Sequence, residues 1–368
     1  MVPDLNLIGG KANYYGALKG RFQEDVEYFT YGPRAGKGTG KATKFWRLLS
    51  DYWAFYWKLS TSTFDLVHIN PSLEPNGFLR DSVFLYIATR LCKVRTLVFW
   101  RGWSEAFETE VTGRLNGLFR MTYMHAAAMI ILADEFKRKL ENWGYVGPIF
   151  QETTVLTESL VEGLSEESIT HRYEQPITNL LFLSRLEANK GVFLILEAFE
   201  RLKKDHPGLK LDFAGTGGAM DELVKRLENM DATDIRVLGF VKGEEKKQLL
   251  QQSHVFLFPS SHDEGLPNSV LEAMGCGMPV ITTLSAGLKD LFQDGKMGLS
   301  LDQMNSDSLM VALEKLLNDR EMQLKMALFN YHYSKEHFLA SKVVVRLENI
   351  YRKVLSGSNP TMTTFAAQ

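Results

Sequence analysis

Three short stretches of this chain hold residue types whose spacing could support chemistry. The sharpest is Glu264-Gly265-Leu266-Pro267-Asn268, with a second carboxylate at Glu272. It follows the apolar run 255–258 and leads into Leu271-Glu-Ala-Met-Gly-Cys-Gly-Met-Pro-Val. A strand end that becomes a helix start is where open α/β sheets bind ligands. Gly265 would let a backbone amide approach a phosphate, and a helix N-terminus favours an anion. The two carboxylates suit the hydroxyls of a sugar or a ribose, since hydrogen bonds to a charged acceptor are strong. A solvated capping pair is the competing reading.

The second stretch is Leu183-Ser-Arg185-Leu-Glu-Ala-Asn-Lys190-Gly191, directly after an apolar run. Two cations at a strand-end crevice would neutralise a diphosphate as charge builds on it; surface bases beside a loop are the alternative. The third is Phe213-Ala-Gly215-Thr-Gly217-Gly218-Ala-Met220. It has a glycine turn between strand and helix, but Met220 stands where a dinucleotide fingerprint needs its last glycine. Gly36-Lys-Gly-Thr-Gly-Lys41 likewise fails as a phosphate loop, because Ala35 and Ala42 occupy two required positions.

The elements that must position these residues alternate regularly. Apolar runs with little polar alternation lie at 27–32, 65–71, 96–102, 128–134, 148–154, 179–186, 209–215, 235–240, 255–260, 279–283 and 298–301. Such runs read as strands buried on both faces of a parallel sheet. Amphipathic stretches at 193–204, 220–229 and 306–317 read as helices between them. The pattern is α/β and doubly wound, and it occurs twice. The break falls near 158–176, which is acidic, contains Gly and Pro, and shows no apolar period. The expected units are 1–165, 166–335, and a C-terminal helix in 336–368 that packs back on the first and ends in a frayed tail. The opening of the chain is a short, irregular strand or a truncated start.

Together these stretches resemble the family-4 retaining glycosyltransferases. The likeness rests on Ser184-Arg-Leu-Glu-Ala-Asn-Lys-Gly, Ala214-Gly-Thr-Gly, Leu238-Gly-Phe-Val, Phe258-Pro-Ser and the Glu-x7-Glu stretch Glu264 to Glu272. It implies a GT-B fold, two Rossmann-like domains facing a cleft, with the second binding a nucleotide-diphosphate sugar, taken here as uridine-linked. By that resemblance Arg185 and Lys190 hold the diphosphate and Glu264 faces the donor sugar. Gly215 and the Gly265–Asn268 backbone, with Leu266 and Pro267, line the donor. Glu272 takes the ribose, and Phe240 and Val241 flank the base. The activity implied is transfer with retention, by front-face attack, without a metal; there is no Asp-x-Asp pair. The acceptor would be a saccharide or a lipid-linked one, in polysaccharide or glycolipid assembly. A GT-B epimerase and a catalytically silent sugar-nucleotide-binding subunit are the rivals.

In the first half Gly9-Gly10 resembles the family's glycine loop, near donor phosphate and acceptor. Relatives place a His-Gly pair about where Arg101-Gly102-Trp103 stands here, so Arg101 and Trp103 are expected on the acceptor side, with His68 facing the same cleft. A guanidinium there favours an anionic acceptor or the donor phosphate. His125 and His254 read as core residues.

Composition sets the outer limits. The 368 residues carry 42 Lys/Arg against 44 Asp/Glu, so no global basic excess points to nucleic acid. Two cysteines exclude a disulfide framework. No signal peptide or long apolar span is visible, and a reducing cytoplasm, extending to the inner face of a membrane, is the expected compartment. All six tryptophans lie between Trp46 and Trp143, and residues 1–120 hold 16 Lys/Arg against 11 Asp/Glu. Trp46, Leu49, Trp53 and Trp57 fall at helical spacing. That stripe is read as a core face on the first sheet or as an interfacial helix beside Lys37, Lys41, Lys44 and Arg47 that contacts a membrane.

Overall fold

Ten of the eleven apolar runs become parallel strands, in two sheets. The computed structural model describes residues 1–7, 9–35, 40–228, 230, 233–261 and 265–357. Strands β1 (Leu66–Ile69), β2 (Arg95–Phe99), β3 (Ala128–Ile131) and β4 (Ile149–Gln151) lie side by side in chain order. The second sheet contains β5 (Asn179–Leu183), β6 (Lys210–Ala214), β7 (Ile235–Gly239), β8 (Val255–Phe258), β9 (Val280–Thr282) and β10 (Gly298–Ser300). Its order is β10-β9-β8-β5-β6-β7. Every residue of β3 and β8 is buried, which is why these strands read as unbroken apolar runs. The chain reverses direction across the second sheet at β5, between β6 and β8. The crevice at the carboxyl ends of β5 and β8 is therefore the natural ligand position.

The exception is 27–32. Thr30 makes one parallel bridge to Val2, and the pairing stops there. The stretch 158–176, read as a featureless join, contains the helices Glu158–Val161 and Glu166–Glu174. Ser165 and Ser168 cap the second of these reciprocally. Arg172 then donates at 2.7 Å to the carbonyls of Gln251, Cys276 and Gly277. The join is thus packed against the second sheet's helices.

Two contacts tie the units together. The first is the helix Ala340–Ser356, which lies against the first sheet. Its Arg346 pairs at 2.7 Å with Glu152, and its Glu348 accepts from the Gln23 and Glu24 amides at 2.6 and 3.0 Å. One apolar cluster accordingly runs through Phe99, Ile130 and Leu132 of the first unit, Phe256 and Val270 of the second, and Val343 and Leu347 of this helix. The second contact is backbone on backbone. The Gly287 amide donates to the Gly265 carbonyl at 2.7 Å, with Leu132 alongside. A Cβ on Gly287 would lie 2.2 Å from the Gly265 oxygen and 2.5 Å from the Leu132 oxygen. Gly287→Ala should therefore destabilise the protein by about 1–3 kcal/mol, read as a lowered midpoint in thermal unfolding.

Candidate active-site cleft

Between the two units lies a cleft of about 1720 Å³. On the second unit its wall is built from strand ends. The turn after β5 carries Arg185, which is exposed into the cleft. The glycine turn after β6 lies directly against it: a Cβ on Gly215, at φ +143°, would fall 1.8 Å from the Ser184 oxygen. The Leu186 amide bonds the Thr216 carbonyl at 3.0 Å. These glycines thus allow two strand-end loops to pack backbone to backbone, which sets the position of Arg185. After β8 the chain supplies Gly265, Leu266 and Pro267, then the N-terminus of helix Asn268–Gly275, all lining the cleft. That end, with Asn268 and Ser269, offers amides to an anion. Glu272 lies one turn further on, and half-exposed Phe240 and buried Val241 close the far wall.

On the first unit the cleft carries two cations, Lys11 and Arg101, with the acids Glu74 and Glu105 also in its lining. Gly9 and Gly10 open the helix Gly10–Leu18, and a Cβ on Gly10 would stand 3.5 Å from Asn268 Nδ2 of the opposite unit. Lys11 donates to the Asn70 carbonyl at 2.8 Å. Burial pushes its ammonium down to about 8, with Arg80 and Arg101 adding like charge and Asp81 and Glu74 opposing the shift. The Arg101 guanidinium lies 3.9 Å over the Tyr14 ring and 4.5 Å from the Phe99 ring. Its Nε and Nη1 are buried with no hydrogen-bond partner among the described residues. Donors of that kind are costly to leave unmet and mark a place for an acceptor group.

The cleft brings together Gly9, Gly10, Arg101, Trp103, Arg185, Gly215, Phe240, Val241, Gly265, Leu266, Pro267, Asn268 and Glu272. The remaining expected residues do not line the described cleft in the same way. Glu264 lies outside the described residues. Lys190 is fully buried and is not part of the cleft wall; its ammonium sits 5.5 Å from the Phe258 ring. The turn that holds it packs against Pro259–Ser261, with the Ser261 amide on the Asn189 carbonyl. His68 does not face the cleft. It is enclosed between Phe99 and the C-terminal helix, its Nδ1 2.8 Å from the Tyr351 hydroxyl, and burial holds it well below the usual histidine range. Trp103 borders the cleft, but its ring is buried flat against Phe136, 4.3 Å between centroids. It therefore shapes the wall more than it contacts a ligand. His254 is buried as expected, whereas His125 is exposed beside Arg90.

Two site residues were missed. Lys11 directly follows Gly9-Gly10, a position that could have flagged it. Lys246, on helix Gly243–Gln252, pairs with Glu272 at 2.6 Å and lines the cleft. Nothing in local spacing announces that pair, because its partners lie on different elements. Glu272 is thus held in place by a cation before any hydroxyl reaches it.

Residues 170–332 match the profile of the glycosyl transferases group 1 family. YtcC of Bacillus subtilis is 27% identical over 335 residues, covering 82% of this chain and 76% of that protein. The lipopolysaccharide core biosynthesis glycosyltransferase LpsE of Rhizobium meliloti is 31% identical over 152 residues, 40% of this chain and 42% of that protein. The chain thus spans less than half the length of that second relative. Among solved structures, sucrose-phosphate synthase of Thermosynechococcus elongatus superposes with a TM-score of 0.72 at 16% identity, covering 97% of this chain and 100% of that one. Anabaena Alr3699/HepE, solved with UDP and glucose, gives 0.66 at 16% identity, covering 89% and 86%. The fold is GT-B, and the findings together support a group 1 glycosyltransferase.

An anion bound beside Lys11 would be held in a pH-dependent way. The Lys11 ammonium is charged below about 8 and neutral above. Affinity for UDP or inorganic phosphate, measured by calorimetric titration, should weaken as pH rises through that value. An ordinary lysine would hold its charge to about 10.4, and Lys11→Met should flatten the dependence.

Proposed function

We propose that the protein transfers a sugar from a nucleotide-diphosphate sugar to a saccharide or lipid-linked acceptor, with retention of anomeric configuration and without a metal. The observation that carries this reading is the pairing across one cleft. Arg185 and a helix N-terminus stand on one wall, and the Gly9-Gly10 loop with Lys11 and Arg101 stands on the other. A diphosphate bound between them would meet donors from both sides. Breaking the bond between the anomeric carbon and the diphosphate oxygen leaves negative charge on that oxygen, which Arg185 would offset. The acceptor oxygen would then bond to the same face of the sugar, and its proton would pass to the departing phosphate. Glu272, steadied by Lys246, would take the ribose hydroxyls, and Glu264 those of the sugar. That a neighbour of this fold, Anabaena Alr3699/HepE, was solved with UDP and glucose supports a uridine-linked donor. The buried, unmet nitrogens of Arg101 favour an acceptor with an acidic group, or a second hold on the donor phosphate.

A screen of sugar nucleotides by calorimetry, followed by turnover with candidate acceptors and the product anomer read by NMR, tests the reading. Arg185→Ala should weaken UDP-sugar binding by about 1.5–3 kcal/mol, the usual worth of a hydrogen bond to a charged group. Glu264→Ala should leave UDP affinity close to wild type and depress turnover on the order of a hundredfold or more, the scale of one transition-state contact. Tight UDP-sugar binding with no transfer to any saccharide or lipid-linked acceptor would favour the silent binding subunit instead.

A further inference from the structure

The tryptophan-rich stretch is neither core nor part of the cleft. It forms the helix Lys41–Thr61, whose inward face is Asp51, Phe55 and Leu59. Trp46, Trp53 and Trp57 point outward, 68%, 65% and 59% exposed, with Leu49 beside them. Beside this helix packs Pro75–Tyr86, through Tyr52 and Phe55 on Phe84. Its Leu79, Val83 and Tyr86, at i, i+4 and i+7, are also exposed. Isolated apolar residues on a surface need no explanation, but two adjacent helices presenting rows of them do.

The charges on these helices show what the surface fits. Each helix contains a single acid, and both acids are turned inward and ion-paired: Asp51 with Arg34 at 2.9 Å, Asp81 with Arg80 at 2.7 Å. Lys41 and Lys44, in the first turn of the tryptophan helix, are exposed. The outer face is therefore aromatic and aliphatic, flanked by cations, with no exposed acid on either helix. We propose that this face seats the protein on an anionic lipid surface, its indole rings at the level of the headgroups and its lysines on the lipid phosphates. A second copy of the chain fits less well. A two-fold contact would set the same basic flank against itself, and Glu27, an exposed acid beside the tryptophan helix, is already paired with Lys58. No described helix is long and apolar enough to cross a membrane, so the association would be peripheral.

The surface also has a geometric relation to the cleft. Ser72 and Glu74, which lead into helix Pro75–Tyr86, line the cleft on the first unit. The helix is 12 residues long, about 18 Å at 1.5 Å per residue. A lipid-linked acceptor in that bilayer would thus have its polar end within reach of the acceptor side. The lipid surface is inferred independently of the transfer reading; only this last link rests on it.

Flotation of the full chain with vesicles tests the inference without measuring turnover. One set is phosphatidylcholine alone, the other phosphatidylcholine mixed equally with phosphatidylglycerol. The chain should float with the anionic set. The combined variant Trp46→Ser, Trp53→Ser and Trp57→Ser should bind about tenfold more weakly or worse. It should keep its unfolding midpoint and its UDP affinity, because the three rings stand outside the core. Lys41→Glu with Lys44→Glu should remove the preference for anionic lipid. Should the tryptophan variant not fold, fluorescence of the wild-type chain on vesicles of brominated lipid gives a second reading, and quenching is expected. Failure to float with anionic vesicles, equal binding by the tryptophan variant, or absence of quenching would each overturn the inference. So would a dimer in sedimentation that the tryptophan variant dissolves while lipid binding is absent.

Discussion

The close approach of Gly265, Gly287 and Leu132 is the constraint on which the rest of this structure depends. Three backbone segments from two units meet with no room for a side chain between them. Ala286, just before Gly287, takes a φ of +40°, a left-handed value that a non-glycine residue holds only when its surroundings impose it. Asp290, in the same short helix, accepts from the Asp134 amide at 2.5 Å and from Gln151 at 2.9 Å, which adds polar bonds to the same seam. Because Gly265 is in that seam, the residues directly after it have little freedom. The N-terminus of Asn268–Gly275 is therefore presented to the cleft at a set distance from the Gly9-Gly10 loop. A ligand held by both walls needs that spacing.

Charge in the cleft follows from burial as much as from residue type. Lys11 is buried with Arg101 as a like charge nearby and Asp81 partly offsetting it, and the Arg101 guanidinium lies over the Tyr14 ring. That arrangement would gain stability from a bound anion, because buried donors would then find acceptors. On the opposite wall Lys246 and Glu272 already satisfy each other. The buried nitrogens of Arg101 on one wall lack acceptors among the described residues, while the other wall offers an oriented carboxylate to hydroxyls. A nucleotide-diphosphate sugar has both kinds of group.

Much of this was legible in the chain because buried parallel strands leave a strong mark. Runs such as 128–133 and 255–258 are apolar on every residue, since helices cover both sheet faces. The run 27–32 was read with them, but it makes a single bridge, to Val2, because local apolar patterning does not supply a strand with a partner. The donor-side motifs were legible because each is a local strand–turn–helix unit, so Arg185, Gly215, Gly265 and Asn268 are brought to one place by the sheet alone. His68 misled because its own strand position says nothing about the helix, far along the chain, that covers it. Helical spacing showed that Trp46, Trp53 and Trp57 share a face. It could not say which face turns inward, because Phe55 and Leu59 form a second apolar stripe on the same helix.

By itself, then, the sequence determined the two α/β units, the order of their strands along the chain and the loops that meet at strand ends. All of these follow from local apolar patterning and turn chemistry. Only the tertiary structure decided which cations share the cleft, that Glu272 has a partner, that Lys190 lies beneath the surface, and that a tryptophan helix faces outward. Each of those depends on which distant segment packs against a side chain. Such packing is governed by burial and charge compensation between residues that no local spacing connects.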